Sequence, residues 1–259
     1  MRYRLVYVNR LKEPPTQATT RGILIHAVLE HLFDLPAHER TPQVAHDLVS
    51  PTLAALFGDD PTFPALFPAE DDRRGWEASV HALIDSYFVT ENPTRLEPFV
   101  REQLMEAEVG DGIAIRGYID RVDRAPNGAL RVVDYKTGKS PKPQYQDDKL
   151  RQMRFYSLLL SASGYPMPAC TRLIFLADGR ILDWQPDDQA MRAFVNQVSD
   201  TVDDIERALD TGTFRTIRQP LCRWCGVQQY CPLFSTNPLP EITEDDAAYA
   251  RSIRRAPRC

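Results

Sequence analysis

Between Gln103 and Thr137 the chain carries three runs of alternating apolar and polar residues, and these limit its folds more than any other feature. "QLMEAEV" and "IAIRGYIDRVD" flank a Gly110-Asp111-Gly112 link, and "ALRVVDYKT" follows after a short polar break. A period of two puts successive side chains on opposite faces of a sheet, and a glycine-rich link of this length reads as a hairpin turn. Residues 21–34, 42–57 and 71–89 instead carry apolar positions at helical spacing, with the proline-rich loop "GDDPTFPALFP" between the last two. A helix over 147–163, a hairpin turning at Asp178-Gly179 and a helix over 187–210 complete the order. This predicts a mixed α/β fold, a central mixed sheet flanked by helices, with residues 36–95 as a helical insertion. The closing stretch "EDDAAYARSIRRAPRC" reads as a loosely held tail.

Bulk properties exclude several classes. With 43% hydrophobic and 26% charged residues in 259, the chain has an ordinary globular composition and can bury a proper core. No apolar run approaches the roughly 20 residues that cross a bilayer, so no membrane partner is expected. "MRYRLVYVNRLKEPP" lacks the features of a secretory signal, which makes a cytoplasmic location the expectation. The net charge of −5 argues against a wholly basic coat for nucleic acid, yet leaves room for a local groove. From Lys136 to Arg154 six basic residues stand against Asp147 and Asp148. Alone, that run reads as a solvated face.

Chemistry enters with "RVVDYKTGK". Asp134 and Lys136, two apart on a strand, share one face, while Val133 and Tyr135 point the other way. Asp120, on the preceding strand, brings a second carboxylate, and two carboxylates from neighbouring strands make an oxygen-rich site for Mg²⁺ or Mn²⁺. Asp123 is read as a partner of Arg121 or Arg124. His26 sits on the first helix with Glu30 one turn on, whereas His31, His38, His46 and His81 are assigned to helix surfaces or partner contacts. Gln152 and Tyr156, four apart, share a helix face. Singly, each has a plainer reading: a cross-strand ion pair, a structural histidine, a core tyrosine.

Taken in order, G-x-x-x-H (Gly22 to His26), G-x-x-D-R-x-D (Gly117 to Asp123), D-Y-K-T-G (Asp134 to Gly138) and Q-x-x-x-Y (Gln152 to Tyr156) resemble the RecB-family exonucleases. These form a branch of the PD-(D/E)XK nucleases, and the resemblance runs from about Tyr3 to Pro232. It implies a single restriction-endonuclease-like domain over 1–259 and a metal-dependent DNA exonuclease acting on single strands or ends in repair or recombination. By the same resemblance, His26, Asp120, Asp134 and the carbonyl of Tyr135 hold the divalent metal. Lys136 lies close to the attacking water, and Gln152 and Tyr156 steady the strand or the hydrated metal. A cation screens the phosphodiester charge and acidifies water. The basic run around Lys139, Lys142 and Arg151 then tracks the DNA backbone.

The segment 215–235 is rich in cysteine: Cys222, Cys225 and Cys231 follow C-x2-C-x5-C, ending in Cys231-Pro232. Members of the branch, among them the nuclease of CRISPR adaptation and a helicase–nuclease subunit, often carry a 4Fe–4S cluster on such a triplet plus a cysteine from an N-terminal C-P-x-x-Y segment. If Tyr3 is that tyrosine, the fourth cysteine is expected two residues before Met1. Cys259 is a distant alternative, Cys170 is read as a buried small hydrophobe, and a zinc site needs a histidine from the N-terminal region. Three reduced structural cysteines are the plain alternative. No G-x-x-x-x-G-K-[ST] motif is present, so any motor is expected on a separate helicase partner. Two rival readings stand beside the nuclease: an idle DNA-binding or scaffold subunit of a helicase–nuclease complex, and a metal-binding protein unrelated to DNA.

Overall fold

A computed structural model describes residues 1–254. It divides into two compact units. One comprises Pro15–Glu106 and Arg116–Met191; the other comprises Met1–Pro14, Ala107–Ile115 and the residues from Arg192 onward.

The first unit carries the mixed α/β core, apart from the end of β1, the start of β2 and the turn between them, which belong to the second. Five strands lie in the order β1-β2-β3-β4-β5: β1 Pro98–Val109, β2 Ile113–Arg124, β3 Leu130–Lys136, β4 Cys170–Phe175 and β5 Arg180–Trp184. Strands β2 and β3 are antiparallel, β3 and β4 parallel, β4 and β5 antiparallel. The parallel step needs a crossover, supplied by the helix Asp147–Ala162 (here α5). Both turn glycines of the first hairpin, Gly110 and Gly112, have positive φ, as does Gly179 in the last, the region open to glycine without a Cβ clash.

Helix α1 (Gln17–Asp34) begins at Thr16, whose hydroxyl accepts from the Thr19 amide while Thr19 returns a bond to the Thr16 amide. Its buried Leu24, Ile25, Val28, Leu29 and Leu32 pack with Val133, Tyr135 and Ile174 of the sheet. The expected helix over 42–57 is two helices, α2 (Pro42–Asp47) and α3 (Val49–Phe57). Pro51 explains the break: it has no N–H for the carbonyl of Asp47. Helix α4 (Glu70–Thr90) lays Trp76, Val80, Leu83, Ile84 and Tyr87 into the same core. Buried Arg40 ties the two ends of this helical stretch, donating to the carbonyls of Leu35, Phe33, Pro93 and Leu96.

In the second unit Val8, Leu209 and Ala250 form a small core with Tyr3, Ile205, Phe214 and Ile242 around it. Leu209 belongs to the long helix α6 (Asp188–Thr211). In the described part of the closing stretch the expected loose tail is instead a helix, α7 (Glu244–Ser252), capped by Thr243 and Asp246. Arg10 holds its first turn through Asp245 and Asp246, each at 2.8 Å, and the unpaired amides there favour that acidic turn. Cys259 lies outside the described residues. Among those residues no helix is long and apolar enough to cross a membrane.

Candidate active site

The site forms where β2 and β3 part company. Their ladder runs from Arg124↔Leu130 to Arg121↔Val133. One step further, the amide of Tyr135 donates not to a strand carbonyl but to Asp120 Oδ2, at 2.9 Å. Buried Asp120 and buried Asp134 thus flank the point where the pairing ends. Gly117 has to be small for β2 to approach α5: a Cβ there would stand 3.3 Å from both Leu159 and Phe155.

His26 reaches this point from α1. Its Nε2 donates to the carbonyl of Tyr135 at 3.0 Å, and its Nδ1 lies 3.3 Å from Asp120 Oδ2 and 3.7 Å from Glu102 Oε1. The donor atoms of His26, Glu102 and Asp120 fall within 4.8 Å of one another. They line a cavity of about 10 Å³ with Glu30, Arg101, Arg121 and Tyr135, about one water or one ion in size.

Asp134 faces the other way within the cluster. Tyr156 Oη donates to its Oδ1 at 2.7 Å, Gln152 Nε2 donates to Tyr156 Oη at 2.9 Å and reaches Asp134 Oδ1 at 3.4 Å. Lys136 Nζ sits 2.5 Å from Asp134 Oδ2. The expected metal-binding and catalytic residues therefore lie in one neighbourhood, in two groups: His26, Asp120 and the Tyr135 carbonyl on one side, Asp134, Lys136, Gln152 and Tyr156 on the other.

Glu102 was not among the expected residues. It has φ +37 within β1, an uncommon conformation for a residue with a side chain and one that clusters at functional sites. The buried positions of β1 are Val100, Met105 and Val109, so the alternation slips by one residue in the stretch that holds Glu102. Such a slip re-aims a side chain, and here it faces the Glu102 carboxylate toward His26. The broken alternation between Val100 and Met105 is the only sequence signal that pointed to it.

Asp123, expected to pair with Arg121 or Arg124, pairs with Arg121 and with Arg131; Arg124 instead stacks 3.4 Å over Phe99. Cys170 starts β4 half-buried rather than buried, because a strand's first residue is covered on one side only. His46 and His81 pair with each other, Nδ1 to Nδ1 at 2.7 Å.

Burial and the crowding of acidic groups both shift the titration of the side chains here. Burial, then the charge of Asp120, pushes the Asp134 carboxyl up, against the pull of Lys136 and Tyr156. Burial and Glu102 push the Glu30 carboxyl up. Burial draws the His26 imidazole down, but hydrogen bonds to Asp120 and Glu102 and the Asp120 and Asp134 charges outweigh it and carry it up to about 10. The Tyr156 phenol is raised by burial and by Asp134, which keeps it a donor. Burial, then the charge of Lys136, lowers the Lys149 ammonium on the first turn of α5.

This donor set fits a hard divalent cation: carboxylates, a carbonyl and one imidazole around a cavity of ion size. A ligating histidine must be neutral, and His26 holds a proton up to about pH 10. Mn²⁺ binding is therefore expected to release close to one proton at pH 7–8 and to weaken as pH falls. Calorimetric titration in two buffers of different ionisation enthalpy measures this, and Glu102→Gln should lower the affinity by about 10-fold. Identical heats in both buffers would show that His26 stays out of the metal's coordination.

A family model described as the PD-(D/E)XK nuclease superfamily matches residues 1–232. The Gene 69 protein of Mycobacterium phage L5 is 28% identical over 136 residues, 48% of this chain and 41% of that protein, so the match spans about two fifths of the relative's length. The solved structure of SSO0001 is similar with a TM-score of 0.40 and 20% identity, over 71% of this chain and 80% of the other. With the family match taking in both carboxylate strands, the α1 histidine and the α5 glutamine–tyrosine pair, the chain belongs to the PD-(D/E)XK nuclease superfamily.

Proposed function

We propose that this nuclease is a metal-dependent DNA exonuclease of the RecB type, hydrolysing phosphodiester bonds in single strands or at ends during repair or recombination. The observation that carries the reading is the meeting of two groups at one strand opening: the His26, Glu102 and Asp120 donors, and Asp134 with Lys136 at 2.5 Å. His26, Asp120, Asp134 and the Tyr135 carbonyl, with Glu102 added, would hold Mg²⁺ or Mn²⁺. When bound, the cation supplies charge neutralisation at the scissile phosphate and makes water more acidic. The protein's own groups do the rest. Lys136 orients the attacking water and meets charge building on the phosphate oxygens. Tyr156 and Gln152 hold the Asp134 carboxylate in one orientation. Lys139, Lys142 and Arg151 are exposed and suit a backbone track, and a helicase partner would supply the motor.

The reading extends to a 4Fe–4S cluster on Cys222, Cys225 and Cys231, which provide three of the four thiolates such a cluster takes. All three are free, and their thiols do not gather within 4.8 Å as a tetrahedral zinc site requires. In the same unit the N-terminal segment packs against them: the Met1 amine donates to the Arg215 carbonyl at 3.0 Å, and the Gly226 amide donates to Glu13 at 3.2 Å. Only a fourth thiolate from the N-terminal side would let such a cluster staple these two segments together.

The test is digestion of end-labelled single-stranded DNA with Mg²⁺ or Mn²⁺, beside Asp134→Ala, with the visible spectrum recorded. Metal-dependent loss of label in the wild type alone is the expected result, and a brown colour would show that the cluster forms on the three cysteines present. Equal activity in both proteins would mean a contaminant, and a folded wild type inert with either metal would favour the idle-subunit reading.

A further inference from the structure

We propose that Leu221, Arg223 and Trp224 form a stacking site for single-stranded DNA, a binding surface separate in composition from the acidic centre. The proposal rests on the nuclease reading for its ligand, but its geometry is independent of that reading.

Pro220–Trp224 is a short 3₁₀ helix. Residues three apart eclipse one another on such a helix, so Leu221 and Trp224 project from one side. They are 60% and 70% exposed. Indole and leucyl groups of that size are normally covered, and Trp76, by contrast, is 4% exposed. The Arg223 guanidinium lies 4.6 Å from the Trp224 ring centre. One ring face thus meets a cation, and the exposure leaves the rest of the ring to a partner. A second pair of the same kind follows nearby in sequence, Arg218 4.7 Å over the half-exposed Phe234 ring.

Charge identifies the occupant. None of the chain's 36 acidic residues falls between Asp210 and Glu241. Arg215, Arg218 and Arg223 are all exposed there, and among the described residues none of them pairs with a carboxylate. A protein partner's apolar patch would satisfy Leu221 and Trp224 but leave three guanidinium groups without an anion. A single strand satisfies both, since its bases stack on aromatic rings and its phosphates pair with arginine. Every base has a π-face, so the site should be tolerant of sequence.

The experiment titrates the full chain with a 12-mer of oligo(dT) in EDTA, where no hydrolysis occurs, following tryptophan emission and the anisotropy of a labelled strand. Quenching is expected, because Trp224 is the most solvent-facing indole. Trp224→Ala should weaken binding about 5- to 150-fold, the equivalent of the ~1–3 kcal/mol of one stacked base. Trp224→Phe, which keeps a ring, should stay within about 3-fold of wild type. Arg218→Gln with Arg223→Gln should flatten the dependence of log K on log salt by about 1.4, at roughly 0.7 per phosphate. Unchanged binding in a folded Trp224→Ala chain would overturn the proposal and give the surface to a protein partner. Hydrolysis of bis(4-nitrophenyl) phosphate with Mn²⁺, a diester too small to need the surface, reads the catalytic centre separately. Trp224→Ala should leave that rate unchanged. Its absence from the wild type, with oligo(dT) still bound, would sink the nuclease reading and spare this one.

Discussion

Lys136→Ala is expected to slow DNA hydrolysis by about 10²–10⁴-fold, the range for a positioned acid–base group, while oligonucleotide binding in EDTA stays near wild type. The argument begins with the strand. Lys136 ends β3, two residues from Asp134 on the same face, and its Nζ is 2.5 Å from Asp134 Oδ2. That oxygen has no hydrogen-bond partner beyond this ion pair, so the ammonium both balances Asp134 and stays at the edge of the acidic cluster. Lys149 is a candidate substitute: burial, then the charge of Lys136, lowers its ammonium. It sits on a helix turn, however, and cannot take the strand position, so it sets a residual rate rather than a rescue. A purely structural Lys136 predicts another pattern. The alanine variant would then lose stability and metal affinity, and excess Mn²⁺ would restore its turnover. A turnover within about 3-fold of wild type at saturating Mn²⁺ would leave Lys136 as an ion-pair partner only.

What could be read from the sequence was what depends on near neighbours. The Asp134–Lys136 face follows from a period of two, and the Gln152–Tyr156 bond at 2.9 Å follows from a spacing of four. The hairpin at Gly110-Asp111-Gly112 follows from the backbone freedom of its glycines. The features that escaped depend on partners far along the chain or on a local slip. Glu102 enters the site because the β1 alternation skips a residue, and no propensity encodes that. Helix α7 looked like a tail because its acidic first turn is a good end only where Arg10, more than 230 residues earlier, folds back to it. The split between α2 and α3 was legible in Pro51 and was outweighed by the apolar periodicity around it. The burial of Arg121 was the least legible, since a charged residue in an alternating strand is read as solvent-facing.

Arg121→Ala should cost about 3–5 kcal/mol of stability, measured by urea unfolding, because it leaves carboxylates buried without their cation. Arg121 is 1% exposed. Its two terminal nitrogens reach the Glu91 oxygens at 2.9 and 2.8 Å, and one of them also donates to the Tyr135 hydroxyl. Asp123 Oδ2 accepts from Arg121 at 3.2 Å and from Arg131 at 2.8 Å. The guanidinium lies 5.3 Å from the Phe33 ring and 5.4 Å from the Tyr135 ring. The side chain of Glu91 is 7% exposed, so water cannot replace the lost cation there. Asp123 keeps Arg131, and the loss should therefore fall mainly on Glu91. Arg121→Met with Glu91→Leu should recover most of the stability, since an apolar pair of similar volume removes the stranded charge along with the cation. The consequence reaches the active site through the strand. Arg121 and Tyr135 are the neighbours of Asp120 and Asp134, on the opposite faces of β2 and β3, and the bond between them fixes the register at which the two carboxylates meet. The double variant should thus be stable yet impaired in Mn²⁺ affinity, a separation that a merely structural network would not produce. A loss below about 1 kcal/mol in Arg121→Ala would mean that Glu91 finds water, and the claim that this pair holds the register would fall with it.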